Sequence, residues 1–192
     1  MSLTISLARL ERWLRENSPT TWEALRPSAA LADIDLASHR FGLRLLPDLK
    51  RLWLWRDGSA GGILNGLPLQ PGHYFLGVGG ALDEWRSRTD VSRSHGDSRS
   101  WSPQWMPITS DGAGNHLVVD HRPGADSGSV FLADLQNGPM SHRSWSSLGD
   151  LVDSLCDALA EGTAVDGHRR EITEQGRLIW NLLPSESTRY RT

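Results

Sequence analysis

The residues of this chain whose types could do chemistry are concentrated around one glycine-rich turn. Asp111, Asn115, His116, Asp120 and His121 supply carboxylate, amide and imidazole groups within a short stretch. Carboxylates and imidazoles can hold a metal ion when several converge on one point, and they can act as general acids or bases when two are paired. The first question is therefore whether the local structure lets these groups converge.

Strand geometry argues against a metal centre in this stretch. Residues 116–120 alternate as a strand does, with Leu117 and Val119 on the opposite side from His116 and Asp120. The two latter residues are separated by about 13 Å along the strand, which is too far for one ion. His121 points to the other face. We therefore predict no metal and no cofactor here.

Asp111 and Asn115 bracket the turn Gly112-Ala113-Gly114. Short polar side chains in such positions accept hydrogen bonds from the backbone of their own turn. The simplest prediction is that both residues close the turn. A polar surface that contacts a partner is the alternative, and catalysis has the least support.

Motifs of hydrolases and of nucleotide-binding enzymes are missing. No Gly-x-Ser-x-Gly sequence occurs, and Ser127-Gly128-Ser129 has no base indicated beside it. Gly77-Val78-Gly79-Gly80 lacks the spacing of the third glycine and the alternating strand-helix context of a dinucleotide loop. A hydrolytic enzyme is thus the weakest alternative.

Acidic residues recur near the end of the chain at helical spacing. Asp150, Asp153, Asp157 and Glu161 follow one another at steps of three, four and four, which places them on one helix face. Such a stripe is either a solvated outer face or a docking stripe for a basic partner, with Asp153 and Asp157 as its contacts.

Composition narrows the class of protein. The chain has 192 residues and a net charge of -3, which favours neither nucleic acid nor a membrane surface as partner. Its single cysteine excludes an internal disulfide. Charged residues interrupt the first apolar stretch, and no apolar run reaches the ~20 residues of a membrane span, so we expect a cytoplasmic protein. The oligomeric state stays open.

The pattern of elements predicts an α+β fold. Helices precede an antiparallel sheet and another helix follows it, so we expect a single domain with a central antiparallel sheet and helices packed on one side. We expect an N-terminal helical extension (1–27), the main domain (28–183) and a flexible tail (184–192). The predicted elements are helices over the first ~16 residues and over 28–40, 47–57 and 147–161, a helix near Leu82 and Trp85, a mobile loop over 87–102, strands from 105 to about 143 and a hairpin in 169–183.

An ordered set of motifs resembles the SMI1/KNR4 (SUKH) family over roughly residues 28 to 160. The motifs are Leu46-Pro47-Asp48-Leu49, Trp105-x-Pro107-Ile108, Asp111-Gly112-x-Gly114-Asn115, Leu117-x-Val119-Asp120, Gly128-Ser129-Val130-Phe131 and Trp145-Ser146-Ser147-Leu148-Gly149-Asp150-Leu151. The resemblance implies a non-enzymatic domain that binds other proteins. Bacterial relatives are implied to be immunity proteins against toxins, often nucleases or deaminases, and fungal relatives to be scaffolds in cell-wall synthesis and signalling.

We expect this chain to be a bacterial member, because 19 of its 20 Lys and Arg residues are arginine. The prediction is an immunity protein that binds a cognate toxin domain and covers its active site; a scaffold or regulatory module is the alternative. Nine tryptophans either fill the core or supply hot spots of an interface. The predicted partner-binding residues are Trp101, Trp105, Asp111, Asn115, His116 and Asp120, with Asp153 and Asp157 as a second contact for a basic nuclease.

Overall fold

A computed structural model describes residues 2–60, 66–96 and 100–184, without the side chains of 141–143. The helices are α1 (Leu3–Asn17), α2 (Pro19–Glu23), α3 (Leu31–Phe41), α4 (Pro47–Trp55), α5 (Val78–His95) and α6 (Leu148–Glu161). The strands are β1 (Pro68–Gln70), β2 (His73–Phe75), β3 (Trp105–Pro107), β4 (Thr109–Ser110), β5 (His116–Asp120), β6 (Val130–Asp134), β7 (Gly138–Trp145), β8 (His168–Ile172) and β9 (Leu178–Leu182). This combination of helices and antiparallel strands confirms the predicted α+β class.

Local sequence signals account for the helix boundaries. Pro47 occupies the first turn of α4, where its missing N–H is not needed. The Ser147 hydroxyl caps α6 by accepting the backbone N–H of Asp150 at 3.1 Å. Gly42 and Gly162 end α3 and α6 in the left-handed conformation.

Four strands form the main antiparallel sheet, in the order β3-β5-β6-β7. A second sheet has the order β1-β2-β4, and β8 pairs with β9 as a separate hairpin. Ile108 joins the two larger sheets, because its N–H donates to Leu117 at 2.8 Å and its carbonyl accepts from Leu76 at 2.9 Å. The predicted hairpin is confirmed, with Ile172 opposite Leu178.

Both faces of the main sheet are buried, each by a different cluster of side chains. Leu117 and Val119 of β5 belong to a large cluster that includes apolar residues of α1, α4 and α6. Val118 faces the other side, in a smaller cluster with Trp101, Trp105, Phe131 and Ala133. Trp85 of α5 packs against both clusters, so α5 lies across the β3 edge of the sheet.

The loop expected over 87–102 is wrong for its first half, because α5 continues to His95 and ends at Gly96. This half carries few apolar residues, yet Arg88 and Thr89 are buried, and tertiary packing supports a helix that the apolar pattern does not indicate. Residues 97–99 and most of the predicted tail lie outside the described residues. In the part that is described, no helix is long and apolar enough to cross a membrane.

Candidate functional site

Asp111 and Asn115 close the glycine turn between β4 and β5. The Asp111 carboxylate accepts the backbone N–H groups of Ala113 at 2.8 Å and Asn115 at 3.0 Å, and the Asn115 amide at 2.6 Å. Burial acts to raise the pKa of Asp111, but these hydrogen bonds outweigh burial and lower it. Asn115 also accepts the N–H of Leu135 at 2.8 Å. The turn-closing role predicted from the sequence is thus present, and both side chains remain partly exposed.

His116 lies entirely within the protein, with no exposed surface. Its Nδ1 lies 3.0 Å from the carbonyl of Thr109, so Nδ1 carries the proton and donates it. Its Nε2 lies 3.6 Å from a carboxylate oxygen of Glu84. Burial is the main cause that lowers the pKa of His116, which keeps the ring neutral near neutral pH. The imidazole therefore has no surface to offer a partner.

Asp120 is buried as well, and it holds an arginine that the sequence analysis missed. Its carboxylate accepts the N–H of Arg122 at 2.8 Å, Nε at 3.0 Å and Nη2 at 2.6 Å. The guanidinium lies 5.2 Å above the ring of Trp105. The Arg122 side chain is 47% exposed, whereas that of Asp120 is 1% exposed. An acid and an arginine two residues apart at a strand end is the signal that could have identified this pair, because such residues share one face.

Trp101 and Trp105 are 1% and 3% exposed, so the expectation that they are surface anchors needs correction. Their rings meet edge to face at 6.0 Å, and Trp105 meets Phe131 in the same way at 5.1 Å. The Trp101 indole donates to the Thr89 hydroxyl at 3.1 Å. The two rings form the smaller core on the second face of the sheet, and with His116 and Asp120 they support the surface from behind.

The acidic stripe of α6 is engaged within the molecule. Arg9 of α1 donates to Asp153 at 3.1 Å and to Asp157 at 2.7 Å. Asp150 accepts the hydroxyl of Ser146 at the start of the helix. The two carboxylates predicted to dock a basic partner therefore join α6 to α1, although the Asp157 side chain is 59% exposed.

A groove of about 500 Å³ opens on the second face of the sheet, beside the buried tryptophans. The pairing of Phe131 with Ser144 places both side chains on this face. Arg122 and its carboxylate partner stand at one wall. The groove is lined by Asp120, Arg122, Asp126, Ser129, Phe131, Pro139, Met140, Ser144, Trp145 and Ser146.

A bulge in β7 shapes the opposite wall of this groove. Phe131 pairs with Ser144, but the next residue, Leu132, pairs with Met140, so residues 141–143 are extra in the outer strand. Such bulges bend an edge strand and interrupt its ladder of hydrogen bonds. The bulge therefore interrupts the flat edge that the outer strand would otherwise present to a further strand.

Among the described residues, no group of three or more His, Cys, Asp or Glu side chains is placed to hold a metal ion. Asp111 is hydrogen-bonded to Asn115, and Asp120 is hydrogen-bonded to Arg122. The arrangement can present an apolar floor, a fixed arginine and an acidic rim at Asp126 to another molecule.

Comparison with known proteins gives one family. A family model described as SMI1 / KNR4 family (SUKH-1) matches residues 28–154, which is more than half of the chain. The matched region contains the glycine turn and all four strands of the main sheet. A search of curated proteins gives no match.

Proposed function

Because the chain belongs to the SMI1 / KNR4 family (SUKH-1), we propose that it binds another protein through the groove on the second face of its main sheet. The role proposed for this binding is immunity: the domain covers a cognate bacterial toxin domain of the nuclease or deaminase class and so neutralises it. Family membership supports an interaction or immunity-like domain, and the toxin is the further step of the proposal.

The groove is the observation that carries this proposal. Its floor contains Phe131, Met140 and Trp145, and apolar floors with aromatic side chains are typical of the centres of protein interfaces. Binding there needs little rearrangement, because the tryptophans behind the groove are already packed.

Arg122 is the strongest single anchor in this groove. Asp120 holds its Nε and Nη2, which leaves the Nη1 edge directed away from that carboxylate. The ring of Trp105 supports the guanidinium from below. An arginine fixed in this way loses little conformational entropy on binding, and arginine is enriched in interface hot spots.

Ser144→Arg tests the groove as the interface. Ser144 is exposed and faces the groove, so a long charged side chain there fills the binding volume and leaves the core intact. If a neighbouring gene encodes a toxin domain that the unchanged chain neutralises, we expect the variant to lose protection against it in growth-rescue assays. We also expect the variant to bind that domain at least about a hundredfold more weakly in calorimetry, by analogy with hot-spot losses.

Thr4→Arg is the matched control, because Thr4 is exposed on α1 and lies outside the groove. It should protect as well as the unchanged chain. If the unchanged chain gives no protection, the immunity role fails. If Ser144→Arg protects fully, the groove is not the interface. Recovery of a cellular partner from the native host, without protection from any toxin, would favour the scaffold role instead.

A further inference from the structure

A buried arginine stands apart from the groove, on α5. Arg88 is only 5% exposed, and its guanidinium lies 5.2 Å from the centre of the Trp101 ring. It lines a cavity of about 250 Å³ together with Val91, His95 and Leu135. Burying a charged side chain without a partner costs free energy of folding. The groups around Arg88 therefore determine which ligands the cavity can bind.

The described residues only partly compensate the positive charge of Arg88. Its Nε has no hydrogen-bond partner there. The two acidic residues whose charges act on Arg88 are hydrogen-bonded to other groups: Glu84 accepts the Ser110 hydroxyl at 3.1 Å, and Asp134 accepts backbone N–H groups of its own turn at 2.9 and 2.8 Å. Burial lowers the pKa of Arg88, and the charges of Asp134 and Glu84 offset this only in part. The electrostatic environment therefore favours an added negative charge.

Two apolar side chains frame the cavity. Val91 is 43% exposed and Leu135 is 42% exposed. The glycine turn holds the second of them, because Asn115 accepts the N–H of Leu135 at 2.8 Å. A Cβ on Gly114 would lie 3.1 Å from the Leu135 side chain. Glycine at this position therefore leaves room for Leu135 in the cavity wall. The turn singled out in the sequence thus shapes the cavity.

We propose that this cavity is a second contact site, in which Arg88 binds the carboxylate of an acidic side chain of the protein partner. A guanidinium pairs with a carboxylate through two parallel hydrogen bonds, and this geometry distinguishes a carboxylate from a neutral amide. Val91 and Leu135 receive the apolar neighbours of that acidic residue, which a free small carboxylate does not have. The inference rests on the proposed function only in taking the ligand to be a protein.

A peptide titration tests this site without the partner. The probe is acetyl-Leu-Asp-Leu-amide, and its counterpart with Asn in place of Asp keeps the same shape without the charge. The signal is the indole N–H resonance of Trp101, assigned with Trp101→Phe and monitored by nuclear magnetic resonance. We expect a saturable shift with the acidic peptide and binding at least about tenfold weaker with the neutral one, since hydrogen bonds to charged groups are the stronger kind.

Arg88→Met and Arg88→Lys separate the charge from the packing. The first keeps the apolar stem and removes the guanidinium, and we expect it to abolish the shift. The second keeps the charge but lacks the two parallel N–H donors of the guanidinium, and it should bind with intermediate affinity. Arg93→Met is the matched control, because Arg93 is a highly exposed arginine of the same helix, paired with Asp90 at 3.0 Å. Thermal unfolding of every variant is the check that the fold is retained.

Equal binding of the acidic and neutral peptides would overturn the proposal, and so would unchanged binding by Arg88→Met or its loss in Arg93→Met. Ser144→Arg should leave the titration unchanged. A peptide that binds at Arg88 while growth rescue fails would preserve this site and reject the immunity role.

Discussion

Asp120 and Arg122 show how a buried residue can determine what a surface offers. The carboxylate is buried and satisfied almost wholly by Arg122, so the exposed part of the pair is the arginine. Substituting Arg122 would leave the buried carboxylate without its cationic partner, although the backbone N–H of residue 122 would remain. Such a loss destabilises a fold by about 3 kcal/mol. An Arg122 substitution would therefore change folding stability as well as binding, whereas Ser144 is an exposed residue of the groove.

His116 gives a pH dependence to stability. Its pKa in the folded protein lies below the ordinary value of 6.5, because of burial. The unfolded chain therefore takes up a proton as the pH falls through 6.5 while the folded protein does not, and the folded state loses stability toward acid. We expect the free energy of unfolding in urea to fall between about pH 7 and about pH 5, the range in which free histidine titrates.

His116→Asn is the variant that isolates this contribution, since an amide can still donate to the Thr109 carbonyl. It should reduce the loss of stability toward acid. Part of the loss will persist, because burial also lowers the pKa of His121. An identical pH profile in the variant would show that His116 does not resist protonation.

At the scale of elements, a close contact between backbones positions α5. A Cβ on Gly58 would lie 2.1 Å from the backbone nitrogen of Gly77, and one on Gly77 would lie 2.3 Å from the carbonyl oxygen of Asp57. The Asp57 carboxylate also accepts the N–H of Val78 at 2.8 Å, at the start of the helix. The end of α4 and the start of α5 can therefore approach this closely only because Gly58 and Gly77 carry no side chains.

Gly58→Ala should therefore destabilise the fold far more than Gly42→Ala. Both glycines have positive φ, at 71° and 65°, but nothing lies within 4 Å of a Cβ on Gly42. We expect a loss of about 1 to 2 kcal/mol at Gly42, from the backbone conformation alone. At Gly58 we expect at least about 3 kcal/mol, because overpacking adds to that cost. Urea unfolding measures both, and equal losses would contradict the close approach.

At the scale of the whole molecule, α1 is part of the main core. Leu3, Leu7, Leu10 and Leu14 are all at most 3% exposed, and they belong to the same cluster as the sheet. The pairing of Arg9 with Asp153 and Asp157 adds a polar contact between α1 and α6. The family match begins only at residue 28, so this part of the core lies before the matched region.

A chain that begins at residue 28 should therefore fail to unfold cooperatively in thermal melts. Even one substitution, Leu10→Ala, should lower the free energy of unfolding by about 2 to 5 kcal/mol, as expected for a fully buried leucine. Deletion of residues 185–192, which belong to the predicted tail (184–192), is the control and should leave the melting transition unchanged. A stable, cooperative fragment 28–184 would show that α1 is dispensable.

The sequence alone determined the features that depend on neighbouring residues. Apolar spacing located α1 and α6, alternation located β5 and the β8-β9 hairpin around Gly176, and the Asp111 turn followed from turn chemistry. These signals are local, because helix and strand periods and turn hydrogen bonds involve residues a few positions apart. The second half of α5 was not predicted as helix, because its apolar pattern is weak.

Only the tertiary structure decided which polar and aromatic residues face outward. Trp101, Trp105 and His116 look from the sequence like contact residues, but packing of α5 and the sheet buries them. The groove at Arg122 and the cavity at Arg88 arise where strands and helices distant in the sequence meet. Burial and charge pairing depend on such long-range contacts, and no local pattern encodes them.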